Sequence, residues 1–395
     1  MNVSQRCCKS ALRNSVLSCW STNASARAFS LSAFRQKTGS LPVFQESTSP
    51  ELSAVLATLN SKILLPAHLN SDQQQLIYRK KNASRLENEP IYVQIGDVEM
   101  PLEHIDRIKD VPSRWTVLKQ AIELSKDQKD WENVVRMLEG FHLAGIHFKT
   151  RHLLKFIRRA SEAGMQHIVL RALQQVKTTG LSLKSPEVLE AVLIGIHNMA
   201  SRSGWEAGST KKALAFAEQV MELMEKPEHL GTGFAKFGDP RTSPLVIAVP
   251  LELAAVRAAK HLDGKDKDGK VKMYAVRLMA SFKQDNFLKT SLPRLFSADL
   301  KISEDMSFKS KRARSSDYNS LKHKIPAWIP VWYGLRIASL EVLGEDMPMP
   351  KDAQSVIALV DGRLTAAVDT IRKEAPRSVN VEELPCIKSL KECGR

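Results

Sequence analysis

The chemistry most densely written into this 395-residue sequence is the recognition of phosphate. Lys309, Lys311, Arg312, Arg314, Lys322, His323 and Lys324 crowd a segment relieved only by Asp317, with Phe308 and Tyr318 interleaved. Cations so placed neutralise phosphates and release their counterions, and aromatic rings between them can stack on bases. The spacing predicts a nucleic-acid contact made by Lys309, Lys311, Arg312, Arg314, Lys322 and Lys324. The competing reading is a solvated basic loop, which adds nothing to salt-dependent binding.

Other constellations point away from a reaction. The run from Asp263 to Gly269 has the composition of a calcium loop, but setting Gly269 at the turn glycine puts Gly264 at the first ligand position and Ala275 at the bidentate one. Gly231-Thr232-Gly233 lacks both the third glycine and the Gly-Lys-Ser/Thr of a phosphate cradle, so it reads as linker. His142, His147 and His152 recur at intervals of five and are split by Gly145, so they share no helical face and read as structural or surface residues. Cys386 and Cys393 lie in a polar tail and form neither a disulfide framework nor a zinc site. Trp328, Trp332 and Tyr333 read as a helix anchored in a core, the alternative being a contact with a membrane surface or partner. No grouping of acid, base and nucleophile is recognisable and no cofactor motif occurs, which favours a non-catalytic protein.

The first 36 residues carry Arg6, Lys9, Arg13, Arg27 and Arg35 and no Asp or Glu, the composition of a cleavable mitochondrial presequence. Arg27, Phe29, Ser32 and Gln36 stand at the spacing of a segment that resembles the two-step matrix processing site. That resemblance implies a mature chain from about Lys37 in the mitochondrial matrix. Loss of the segment removes Cys7, Cys8 and Cys19, and takes five cations from a formal charge of +15, leaving +10. Basicity of that size favours nucleic acid or anionic lipid as partner. No apolar run approaches the ~20 residues that span a bilayer.

Helices must position these groups. Ser49-Pro50-Glu51 starts one, with Leu52, Val55, Leu56 and Leu59 at helical spacing, and a second short helix starts at Ser71. Ile91, Val93 and Ile95, then Val98, Met100 and Leu102, alternate about Gly96-Asp97 and predict one β-hairpin. From Pro112 the period becomes 3.6, with helices over Thr150 to Ala163, Gln166 to Thr179, Pro186 to Ala200 and Thr210 to Glu225. The predicted divisions are a presequence (1–36), a polar arm with short helices and the hairpin (37–111), a helical-repeat domain (112–226), a linker and helical pair (227–285), a basic flexible insertion (286–325), a C-terminal helical hairpin (326–374) and a tail (375–395).

Within the helical-repeat domain Val134 to Leu138 is matched by Val169 to Leu173, and Gly145 to Thr150 by Gly180 to Ser185, both at an offset of 35. A register of that length implies stacked helical hairpins. Here the chain resembles the pentatricopeptide-repeat family over about two units, Pro112 to Ser185, with a looser third to Lys226 that needs about ten extra residues around Ser201 to Ser209. The resemblance implies a helical-repeat protein of organellar gene expression. Leu153 and Val188 stand where that family often has a small polar base-reading residue. The fold expected is all-α, an α-solenoid-like array of antiparallel helical hairpins with one small β-hairpin. The function expected is the binding of mitochondrial RNA or the mitochondrial ribosome, the alternative being a scaffold or assembly factor for a respiratory-chain complex.

Overall fold

The computed structural model describes residues 40–96, 98–231, 233–235, 238–283 and 310–394. Ser49 caps α1 (Pro50–Thr58), its hydroxyl accepting from the Leu52 amide at 3.2 Å, while Pro50 occupies a first-turn site where no N–H is needed. The helix passes through a π turn, Leu59–Leu64, into α2 (Leu65–His68). Asn70 and Gln73 then close a capping box that starts α3 (Ser71–Tyr78). Leu52, Leu56, Leu59 and Leu64 are all buried, and α1 lies on α5 (Arg114–Leu124). The short α4 (Ala83–Asn88) precedes the hairpin β1 (Tyr92–Ile95) and β2 (Val98–Pro101), in register from Tyr92 opposite Pro101 to Ile95 opposite Val98.

A strap of residues ahead of α1 is tied to α6 (Gln128–Leu143). Asn133 accepts from the Gln45 amide at 2.8 Å and donates to the Gln45 carbonyl at 2.9 Å. Asp130, wholly buried, accepts from the amide (3.0 Å) and hydroxyl (2.6 Å) of Thr48 and from the Lys126 amide at 3.1 Å. Burial pushes this carboxyl up, but the hydrogen bonds from Thr48, Lys126 and Asp127 outweigh it and hold the group below the usual carboxylate range. Its stabilising contribution is therefore complete at neutral pH and lost as pH falls through the lowered value. Asp130→Asn exchanges an accepting oxygen for a donor that faces other donors. It is expected to cost about 1–3 kcal/mol, read as a lower melting temperature; an unchanged melt would mean that the strap is held elsewhere.

Three consecutive hairpins follow. They pair α5 with α6, α7 (Thr150–Glu162) with α8 (Gln166–Gln174) and α9 (Val176–Thr179), and α10 (Pro186–Arg202) with α11 (Ala207–Met224). Each leans on the next: α7 packs along α10, α6 against α9, and α8 against α11. Gly145 and Gly180, 35 positions apart, end α6 and α9 at φ of 73° and 68°, the left-handed stop that glycine adopts without penalty. At Gly180 a Cβ would also come within 2.5 Å of His142 Nδ1. The extra residues expected between α10 and α11 shrink to Ser203–Glu206, because α10 continues to Arg202 and α11 begins at Ala207. Trp205 fills that turn, 1% exposed and at φ 63°.

The C-terminal part is built on α12 (Pro244–His261), flanked by α11, α13 (Lys270–Lys283) and α14 (Lys311–Ile337). From Lys311 onward the segment expected as an irregular basic insertion is helical, and α14 runs unbroken through Pro326 and Pro330. Each proline forfeits one ladder hydrogen bond. The full burial of Trp328, Ile329 and Val331 around them offsets that loss. After α15 (Pro350–Glu374), the tail expected to be polar forms α16 (Pro385–Glu392) and docks into the core. Cys386, Ile387, Leu390 and Cys393 fall at i, i+1, i+4 and i+7, one helical stripe, and all are at most 3% exposed. On α14, Gly334 lies against the backbone of Glu252 on α12, close enough that an added Cβ would be 3.0 Å from its amide nitrogen and Cα. Among the described residues no helix is long and apolar enough to cross a membrane.

Candidate functional site

The basic run divides once it is folded. Lys309 lies outside the described residues, and Lys311 starts α14. Arg312 is exposed, Arg314 points to Glu374 at 4.0 Å, Lys322 lies over the Tyr318 ring at 5.5 Å, and Lys324 pairs with Glu190 on α10 at 2.9 Å. At 100° per residue these positions spread around the helix rather than along one stripe. They are not a single phosphate-binding face. The processing residues Arg27, Phe29, Ser32 and Gln36 also lie outside the described residues.

What the fold assembles instead is a cleft between the hairpin array and α14, about 380 Å³ in volume. Arg158 of α7, Arg202 of α10, and Lys322, His323 and Lys324 of α14 line it, with Glu162, Glu187 and Glu190. Crowding around the His323 ring, and then the charges of Arg158 and Lys322, hold that imidazole below its ordinary range. Arg158, Arg202 and Lys322 form no ion pair among the described residues, whereas Lys324 is matched by Glu190 and Lys155 by Glu123 at 2.8 Å. Cations without a carboxylate partner are the ones free to meet phosphate. Arg158 and Arg202 stand outside the basic run that the sequence singles out; the available signal was α7 itself, where Arg151, Lys155 and Arg158 follow at i, i+4 and i+7.

The remaining candidates resolve into structural work. The turn at Gly145 brings the His142 and His147 rings to 5.3 Å, while His152 stacks on Trp115 at 4.1 Å. Burial, then His147, lowers the His142 pKa. In the former calcium-like run, Asp266 accepts from the Val271 and Lys272 amides at the start of α13, and Asp268 pairs with Arg257 at 2.7 Å. The linker is fastened by buried Arg241, which bonds Asp239, Glu225 and the Gly231 carbonyl. Trp328, Trp332 and Tyr333 are core residues, at most 5% exposed.

By fold and by cleft, the chain is an all-α type of protein with one small β-hairpin, none of its described helices long and apolar enough to cross a membrane, and with charge gathered along a cleft between its helices. Its relationships narrow that class. The family model for mitochondrial ribosomal protein mS27 matches residues 27–386, and the chain belongs to that family. The small ribosomal subunit protein mS27 of Neurospora crassa is 28% identical over 243 residues, 59% of this chain and 61% of that relative. The chain thus spans about three-fifths of the length of the curated relative it matches.

Proposed function

We propose that the chain is a non-catalytic protein of the mitochondrial small ribosomal subunit, acting in the matrix in organellar translation. The observation that carries this reading is the family match, which runs from residue 27, within the expected presequence, to Cys386 at the start of α16. The cleft cations give it a physical means, since unpaired Arg and Lys on a rigid helical surface suit the backbone of folded RNA. In this reading the phosphate contacts come from Arg158, Arg202 and Lys322, from Lys311, Arg312 and Arg314 at the start of α14, and from Lys309 of the same basic run. Lys324 helps to hold α14 on α10.

We further infer that the hairpins from α5 to α11 are pentatricopeptide-like units used as a scaffold. The repeated left-handed glycines at an offset of 35 support this. Leu153 and Val188, half-buried and buried, offer no base-reading group, so the recognition proposed is of shape and phosphate.

Sedimentation of mitochondrial lysate tests the assignment. The chain is expected to travel with the small subunit and to shift after RNase digestion or in high salt. Migration with a respiratory-chain subcomplex, indifferent to RNase, would sink it. The N-terminus of the chain recovered from the matrix is expected at Lys37; intact residues 1–36 would refute the processing site at Arg27, Phe29, Ser32 and Gln36.

A further inference from the structure

In the interior of the C-terminal part three metal-ligating side chains converge that no role in RNA binding requires. His197 on α10, Glu252 on α12 and Cys393 just beyond α16 are each at most 1% exposed. One ligand atom from each lies within 4.8 Å of the other two. His197 Nδ1 is 2.7 Å from Glu252 Oε2, and its Nε2 is 2.8 Å from Ser389 Oγ. Glu252 Oε1, equally buried, has no hydrogen-bond partner among the described residues. A carboxylate oxygen buried without a partner is unfavourable, and a bound cation would give it one.

We propose that His197, Glu252 and Cys393 form a structural site for one divalent cation of the zinc type. An imidazole, a carboxylate and a thiolate are the donor set of a borderline-soft ion. A doubly charged cation facing one thiolate and one carboxylate leaves no net charge in an apolar interior, where an unbalanced charge is expensive. If both oxygens of Glu252 bind, the bare Oε1 gains its partner and the ion has four donor atoms, in a distorted arrangement because the bite of a carboxylate is narrow.

The hydrogen bond to Ser389 fits the same site. When Nδ1 binds the ion, Nε2 carries the proton and donates it to Ser389 Oγ, the outer-shell contact that fixes the orientation of a ligating histidine. On binding, the Glu252 carboxyl and the Cys393 thiol each release a proton to solvent, while the imidazole keeps its proton on Nε2. Without an ion, burial and then the Glu252 and Glu392 carboxylates push that thiol up, and burial does the same to the Glu252 carboxyl. Adjacent positive charge is what brings both to their anionic forms.

The test uses the purified full chain. After incubation with zinc and dialysis, elemental analysis is expected to give about one zinc per chain, and a strong chelator to lower the melting temperature until zinc is restored. Cobalt(II) in place of zinc is expected to show a near-ultraviolet thiolate charge-transfer band that Cys393→Ser abolishes while the far-ultraviolet circular dichroism is kept. If Cys393→Ser does not fold, the chelator arm on the unaltered chain decides. Zinc below about a tenth per chain, with melting indifferent to chelator, would overturn the proposal and leave a hydrogen-bonded triad alone.

Discussion

Replacing Arg158, Arg202 and Lys322 together by glutamine is expected to flatten the log–log salt dependence of RNA binding by roughly 2, at about 0.7 for each single-strand phosphate that is no longer neutralised. Glutamine keeps much of the length and polarity of these side chains and removes only the charge. All three line the cleft and lack a carboxylate partner among the described residues, so their removal leaves no buried anion exposed. Filter binding of small-subunit RNA fragments across a salt series measures the slope. Lys155→Gln serves as the contrast, because its cation is already matched by Glu123 at 2.8 Å, and it is expected to leave the slope nearly unchanged. An unaltered slope in the triple variant would remove the cleft from the RNA-binding surface, without touching membership of the family.

Gly334→Val is expected to be the most damaging single substitution at the centre of the fold. A Cβ at this position would sit 3.0 Å from both the amide nitrogen and the Cα of Glu252. Those are backbone atoms of α12 and cannot rotate away, so α12 and α14 must separate. Overpacking usually costs about 1–3 kcal/mol, and a branched side chain against a neighbouring backbone belongs at the upper end. Thermal denaturation should show a fall of several degrees. Gly362→Ala provides the opposite case: this glycine is exposed within α15, with nothing within 4 Å of an added Cβ. It is expected to stabilise by about 0.5–1 kcal/mol through a stiffer unfolded chain. Equal melting curves for the two glycine variants would contradict the close contact between α12 and α14.

Local signals are the most readable part of the sequence. Ser49 before Pro50, the alternation about Gly96, and the glycine stops at 145 and 180 each act within a few residues, and the structure places elements at all of them. The start of α14 is hidden from such reading because a helix whose first turns are Lys and Arg, and whose interior holds Pro326 and Pro330, breaks the local rules for a helix. Its stability comes from packing on α12 and α15, which no local window contains. The cleft is half legible. Lys322 can be found as part of a charge run, but whether Lys324 is free or matched depends on Glu190, 134 positions away. The convergence of His197, Glu252 and Cys393 has no local signature at all, since the three are drawn from segments far apart in the chain.

Closure of α16 over α10 has a consequence in time. Ser389 and His197 meet across 192 positions, and the Trp205 indole donates to the Glu392 carbonyl across 187. Contacts so distant cost loop-closure entropy before they return any stability, and they slow folding. A chain threaded into its compartment amino end first can stack its hairpins early, yet the parts of α10 and α14 that α16 covers stay open until the last residues arrive. During that interval the chain is expected to be cut by protease more readily than after α16 has docked.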